Sequence, residues 1–351
     1  MNKVSAIIIS MNKPENVIKL AKKLKKYFDE IIILDNSKLE FYYEIKKHLE
    51  KENKIRIFNF PPLGTSVFFY YIGFSLCKYR WIFIIEDDEN INDKSLYNLS
   101  KNKSFKSNVF TIVRKEDYPS KRFQSILIRF FNKNYVTPIG IIHWHYFTKE
   151  KPQHLNKVII FHNSNYYLKK RLKNVINQTF IDSYQFGYKL LLILNYGNKV
   201  YKIDGNPLYF SEKHVKMFRI FFKFCSKLDK KLGMIFFTFI ISFLSNIYIA
   251  KKIFCNKNLL IKDKLMWIFD YIIYNFLLQF WMFYDTNFKV KIWYQSLKKG
   301  GFIKLFELTK LRKTMKFFKS KNITSNDDGI HNFKKFISYK KHEFYKKQKA
   351  L

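Results

Sequence analysis

Glu86-Asp87-Asp88-Glu89 sets four carboxylates in a row directly after an apolar run, Trp81-Ile82-Phe83-Ile84-Ile85. Like charges packed this closely repel unless a cation or a polar ligand shell neutralises them. Hard carboxylate oxygens suit Mg²⁺ or Mn²⁺, and those ions in turn suit a diphosphate. The bland alternative is a solvated acidic turn that caps the next helix. Acid is scarce in this chain, 27 Asp+Glu against 65 Lys+Arg, which favours a ligand site.

The first hundred residues supply the elements that would hold such a cluster. Val4 to Ser10 is a β-branched apolar run bounded by Asn12, Lys13 and Pro14. From Asn16 to Phe28, apolar residues fall at Val17, Leu20, Ala21, Leu24 and Phe28, a helical spacing. Glu30 to Leu34, Ile55 to Phe60 and Trp81 to Ile85 read as further strands. Leu39 to Leu49 and Thr65 to Cys77 read as helices, and Pro61-Pro62-Leu63-Gly64 as a turn. Apolar strands alternating with helices indicate a parallel sheet covered on both faces, so the expected fold class is α/β. The acids then lie at the carboxyl end of the fourth strand, where open α/β sheets bind ligands.

Four signals occur in order along this segment: Ser10-Met11-Asn12, Asp35-Asn36-Ser37, Gly64-Thr65-Ser66 with Gly73, and Glu86-Asp87-Asp88. Together they resemble the nucleotide-sugar-binding half of family-2 glycosyltransferases, whose fold is the GT-A type. That resemblance implies a mixed or parallel Rossmann-like sheet and a nucleotide-diphosphate sugar donor. It places Asp35 on the nucleotide base, Asn12, Gly64, Glu86 and Asp87 around the donor, and Asp88 on a divalent metal, Mn²⁺ or Mg²⁺. The chain departs from the family at Tyr70-Tyr71, where Arg-Asn is common, and at Glu86, where the first Asp of the motif stands.

An inverting transferase also needs a base for the acceptor hydroxyl. The family carries it on a Glu-Asp pair followed by a helix, a glycine, a strand and a histidine. Here Ile181-Asp182 precedes Ser183 to Asn195, which reads as a helix, then Gly197, a strand over Lys199 to Ile203, and His214. The resemblance therefore implies Asp182 as the base and His214 as a metal ligand. Asp182 could equally be a helix N-cap, and His214 a surface histidine. His143-Trp144-His145 has the i, i+2 spacing of a ligand pair in a strand but no evident third ligand.

The remainder has a different character. Residues 1–100 carry 16 basic and 13 acidic residues, whereas the following 251 carry a net charge of +35. Leu232 to Ala250 is 19 residues without a charge; Leu265 to Tyr284 is 20 residues broken by Asp270, Asn275 and Gln279. Lysines crowd the loop between them. That charge placement speaks against two spans with the loop outside and for helices lying on the cytoplasmic membrane face, with core packing as the alternative. Residues 316–351 hold ten Lys and three acids, interleaved with Phe and Tyr, a tail suited to anionic lipid or to a solvated helix. The resemblance covers about residues 1–215 and implies a transferase domain there (donor half 1–100, acceptor half 101–215); composition sets off a hydrophobic helical region at 216–315 and a basic tail at 316–351.

Composition limits the alternatives. Apolar residues at 48% and aromatics at 19% exclude disorder. Three unpaired-looking cysteines exclude a disulfide scaffold or a zinc module and suit a reducing cytosol. The amino-terminal apolar run is too short for a signal peptide and reads as a buried strand. The basic excess would allow nucleic-acid binding, yet no RNP, helix-turn-helix or finger pattern accompanies it. The expected function is glycosyl transfer to a glycan or lipid-linked acceptor at the membrane; a catalytically degenerate membrane-surface or nucleic-acid-binding protein is the alternative.

Overall fold

The computed structural model describes residues 3–64, 69–101, 107–116, 124–139, 145–162, 168–184, 200–202, 216, 219–220, 223–224, 227, 230–255, 260–298, 311–325 and 327–349. Strands β1 (Val4–Ser10) and β2 (Glu30–Asp35) are buried at every position, which is why their sequences are apolar throughout. Successive side chains enter opposite layers. Ala6 and Ile8 join Ile31 and Ile33 in one core, covered by α1 (Pro14–Leu24) and α2 (Leu39–Leu49). Ile7 and Ile9 join Ile32 and Leu34 in the other.

β3 (Ile55–Asn59), β2, β1 and β4 (Trp81–Glu86) pair in parallel in that order. β7 (Gln124–Asn132) runs antiparallel to β4, and β6 (Val109–Glu116), β10 (Gln153–His162) and β5 (Glu89–Ile91) complete the sheet. The class is α/β as expected, with one mixed sheet of eight strands curled into a half-barrel. A smaller sheet pairs β8 (Val136–Ile139), β9 (His145–Thr148) and β11 (Val200–Lys202). The helix expected over Thr65–Cys77 is described as α3 (Tyr70–Leu76), lying close on β2: a Cβ at Gly73 would stand 2.7 Å from Leu34 Cδ1. Helix α4 (Asp93–Lys101) packs on β10.

The second core is closed by the carboxyl-terminal half of the chain. It contains Phe180 and Ile181 of α5 (Leu168–Ser183), Leu278 of α7 (Ile261–Phe283) and Trp293 of α8 (Thr286–Lys298). Phe318 of α9 (Leu311–Ser320) and Phe333, Phe336 and Ile337 of α10 (Gly329–Lys349) belong to the same cluster as Ile7 and Ile9. Helices α9 and α10 therefore pack into the same core as the sheet. Phe333, Phe336 and Ile337 share one face of α10, where Lys340 lies over the Phe317 and Phe336 rings and Lys341 pairs with Asp285.

Gly64 and Gly329 meet at this junction. A Cβ on Gly329 would lie 2.6 Å from the Gly64 nitrogen and 2.9 Å from its Cα, atoms that cannot rotate away. Gly329→Ala should cost about 1–3 kcal/mol by forcing α10 off the sheet. An unchanged urea midpoint would show that the helix shifts freely.

Lys289 of α8 is buried at 1% exposure. Its ammonium donates to Ser183 Oγ (2.9 Å) and to the Trp281 carbonyl, and lies 4.4 Å from the Tyr184 ring centre. Burial pushes its pKa down to about 7; Asp285 opposes that shift and Lys341 adds to it. The unfolded amine titrates near about 10.4. Between those values the unfolded chain binds a proton that the folded chain does not, so stability rises with pH through that window. From pH 7 to 9.5 wild type should gain on the order of 3 kcal/mol relative to Lys289→Met. Parallel urea-midpoint curves for the two proteins would refute this.

Among the described residues one helix, Lys264–Phe283, is long and apolar enough to cross a membrane by length and composition.

Candidate functional site

The carboxyl ends of β1, β2 and β4 form one rim, with Ser10 opposite Asp35 and Ile9 opposite Glu86. Asp87 ties the rim together. Its backbone N–H donates to Ile9 O (3.0 Å), and its Oδ2 accepts the Met11 N–H at 2.6 Å. The Asn16 side chain donates to the Asp87 carbonyl. Asn12 adopts φ 58°, a left-handed conformation that Asn tolerates. There its N–H donates to Ser37 Oγ (2.7 Å) and its Oδ1 accepts the Lys38 N–H (3.1 Å). Asp35 sits beneath, fully buried, taking hydrogen bonds from Ser37 Oγ (2.5 Å) and Asn59 Nδ2 (2.9 Å). Burial raises the pKa of both aspartates, to about 6 for Asp87; the Met11 amide and Lys13 oppose it there, Ser37 and Asn59 at Asp35.

The four acids after β4 have separate fates. Glu89 is buried and faces two arginines, Arg129 on β7 at 2.7 Å and Arg114 on β6 at 3.2 Å, while the Glu86 N–H donates to its second oxygen. Glu86 also meets Arg129, at 3.3 Å. Protein cations therefore neutralise this pair, although burial still pushes Glu89 upward against the pull of Arg129.

Asp88 is different. Its Oδ2 stands 3.5 Å from His162 Nε2 and 3.6 Å from Lys13 Nζ, and Lys13 also lies 3.5 Å from Asp87. His162 arrives because β10 pairs antiparallel with β5, setting His162 opposite Glu89. Burial works to raise Asp88, but the histidine and Lys13 outweigh it and hold the carboxyl below the usual range. Its Oδ1 is buried and has no hydrogen-bond partner among the described residues.

That orphaned oxygen suits a hard divalent cation, which needs one or two protein carboxylates and takes its other ligands from phosphate and water. Asp88 and His162 are the residues placed to hold one. Among the described residues no group of three His, Cys, Asp or Glu is arranged around a metal.

No protein-family model matches this chain, and no curated protein matches it. Among solved structures it is similar to S. aureus TarS. The crystal structure of TarS 1–349 gives TM-score 0.31 and 12% identity over 85% of this chain and 92% of that one. Another crystal structure of S. aureus TarS gives TM-score 0.27 and 14% identity over 33% of this chain and only 22% of that one. With values this low the likeness decides nothing about the site, which stands on this chain's own geometry.

The remaining expected site residues lie elsewhere. Gly64 is at φ 75°, and a Cβ there would meet Ile181 Cδ1 at 2.6 Å, so it serves the junction with α5. Asp182 lies within a helix: α5 ends at Ser183, and Asp182 sits in its last turn, where a negative charge opposes the helix dipole. It is 4% exposed, and its Oδ2 accepts the Tyr274 hydroxyl (2.8 Å) across the α5–α7 contact. The helix expected over Ser183 to Asn195 falls largely outside the described residues, as do Gly197, His214, His143 and Trp144. Of the departures from the family pattern, Tyr70 is fully buried and Tyr71 donates to the Pro138 carbonyl, so both pack rather than face the rim.

Four residues of the cluster, Lys13, Arg114, Arg129 and His162, went unpicked in the sequence. Arg129 had a signal, being a lone cation inside Ile126-Leu127-Ile128-Arg129-Phe130-Phe131, where a buried arginine demands a partner acid. Lys13 and His162 had none, since their relevance depends on strand pairing.

Proposed function

We propose that this chain is a glycosyltransferase using a nucleotide-diphosphate sugar, with donor bound at the rim of β1, β2 and β4. The observation that carries the proposal is Asp88. It is the acid of its cluster with a buried carboxylate oxygen that has no hydrogen-bond partner among the described residues, at the carboxyl end of the strand beside β1. The strand order β3-β2-β1-β4 supports it, because sheets of this kind receive ligands in the crevice at such ends.

In this proposal the Asp35–Ser37–Asn59 network fixes the floor on which a nucleotide base would rest. Asn12 and Asp87 hold the β1 loop against it. Lys13 is long enough to leave Asp87 and Asp88 for a diphosphate, to which an ammonium binds as a point charge. A divalent cation at Asp88, with His162 beside it, would neutralise the leaving diphosphate. The transfer would be inverting, as the family resemblance implies. Its base is not assigned to Asp182, whose carboxylate is held by Tyr274. The acceptor is a glycan or a lipid-linked saccharide.

The test is calorimetric titration of UDP, GDP, TDP and CMP, with and without Mn²⁺, into wild type and Asp88→Asn. Metal-dependent binding of one nucleotide that disappears in the variant is the expected result. No binding of any of them to wild type would refute the proposal.

A further inference from the structure

Helix α7 is built inside out. Along it Ile261, Leu265, Phe269, Ile272, Phe276 and Phe280 follow a 3–4 spacing to Phe283, and each is 55–74% exposed. The inward side mixes the buried Leu278 and Met282 with polar groups. Asn275 is buried, Tyr274 bonds Asp182, and both amide atoms of Gln279 are buried without a hydrogen bond among the described residues. In water an amphipathic helix shows the opposite polarity.

The neighbouring helix α6 (Lys230–Phe254) packs against α7 and repeats the pattern. Phe236, Phe239, Phe243 and Ile247 are 50–57% exposed, while Phe237, Thr238 and Ile253 turn inward. The outer stripe continues into exposed Lys251 and Phe254. Two adjacent apolar stripes of this length exceed what a monomer's surface usually shows.

The charge around them selects the partner. Between Lys216 and Lys264 the sequence has eleven basic and two acidic residues. A second copy laid on this face would bring like charges together, whereas anionic headgroups would attract them. We propose that the α6–α7 face docks the protein on an anionic phospholipid bilayer, the phenylalanines entering the boundary below the headgroups and the lysines reaching the phosphates. This face is separate from the donor rim and does not depend on the reaction proposed there.

The experiment is co-sedimentation of the full chain with vesicles of phosphatidylcholine alone or with about one third phosphatidylglycerol. Wild type and the triple variant Phe269→Ser, Phe276→Ser, Phe280→Ser are compared, and folding is checked by circular dichroism. We expect wild type to bind the anionic vesicles, the triple variant to bind at least about tenfold more weakly, and Lys251→Glu to weaken binding at low salt. Absence of wild-type binding, or equal binding by the triple variant, overturns the proposal. So does a lipid-free dimer, seen by sedimentation velocity, that the triple variant dissolves, for then the face belongs to a second copy.

Discussion

Arg129→Met lowers the stability of the folded chain by about 3–5 kcal/mol, the cost of breaking a buried ion pair from one side. Arg129 has no exposed surface, and its guanidinium meets both Glu86 and Glu89. Methionine fills most of the volume, so the effect reports the stranded carboxylates rather than a cavity. Arg114 still reaches Glu89 at 3.2 Å but leaves Glu86 unaccompanied. Adding Glu89→Gln should recover part of the loss, because an amide costs far less to bury than an unpaired carboxylate. Urea denaturation of wild type, single and double variants measures this; a single variant within 1 kcal/mol of wild type would mean that water already solvates the pair.

Asp88→Asn should act differently, costing the folded chain only about 1–2 kcal/mol, the pull of His162 and Lys13 on the charged carboxylate, and removing donor binding. The side chain keeps its shape, and His162 and Lys13 stand at 3.5 and 3.6 Å, so what is lost is two long ion pairs rather than short hydrogen bonds. Losing a negative charge beside Asp87 also relieves repulsion. If Asp88 anchors the cation that neutralises a leaving diphosphate, kcat/KM for the donor falls on the order of 10²–10³-fold, in line with removal of one strong electrostatic stabiliser. The nucleotide loses its metal dependence of binding at the same time. Turnover within twofold of wild type would remove Asp88 from the chemistry. The two substitutions thus separate an acid pair that holds the sheet from the acid proposed to hold the cation, though all three lie within four residues of sequence.

Local pattern carried far into the structure. Val4–Ser10, Glu30–Asp35 and Trp81–Glu86 are strands within a residue of where their apolar runs begin and end, because a strand buried on both faces must be apolar throughout. The turn chemistry of Asn12, Asp35-Asn36-Ser37 and Glu86-Asp87-Asp88 likewise marks the rim without any knowledge of strand order. Asp182 shows where pattern fails. An Asp before a run of mixed polarity looks the same whether a helix starts or stops there, and only the packing of α5 on α7 places it beside Tyr274.

The carboxyl-terminal half shows the same division at larger scale. Aromatics at helical spacing specify a sticky face, but not what it sticks to. Phe333 and Phe336 face the sheet, whereas Phe276 and Phe280 face outward, and the sequence around each is basic and aromatic alike. Sequence by itself determined the α/β class, the four parallel strands, the rim and the acid cluster, since each depends on near neighbours in the chain. The tertiary structure alone decided that Arg129 and Arg114 claim Glu89, and that His162 and Lys13 stand by Asp88. It also decided that α10 closes the core, because each of these depends on which distant segments the sheet brings together.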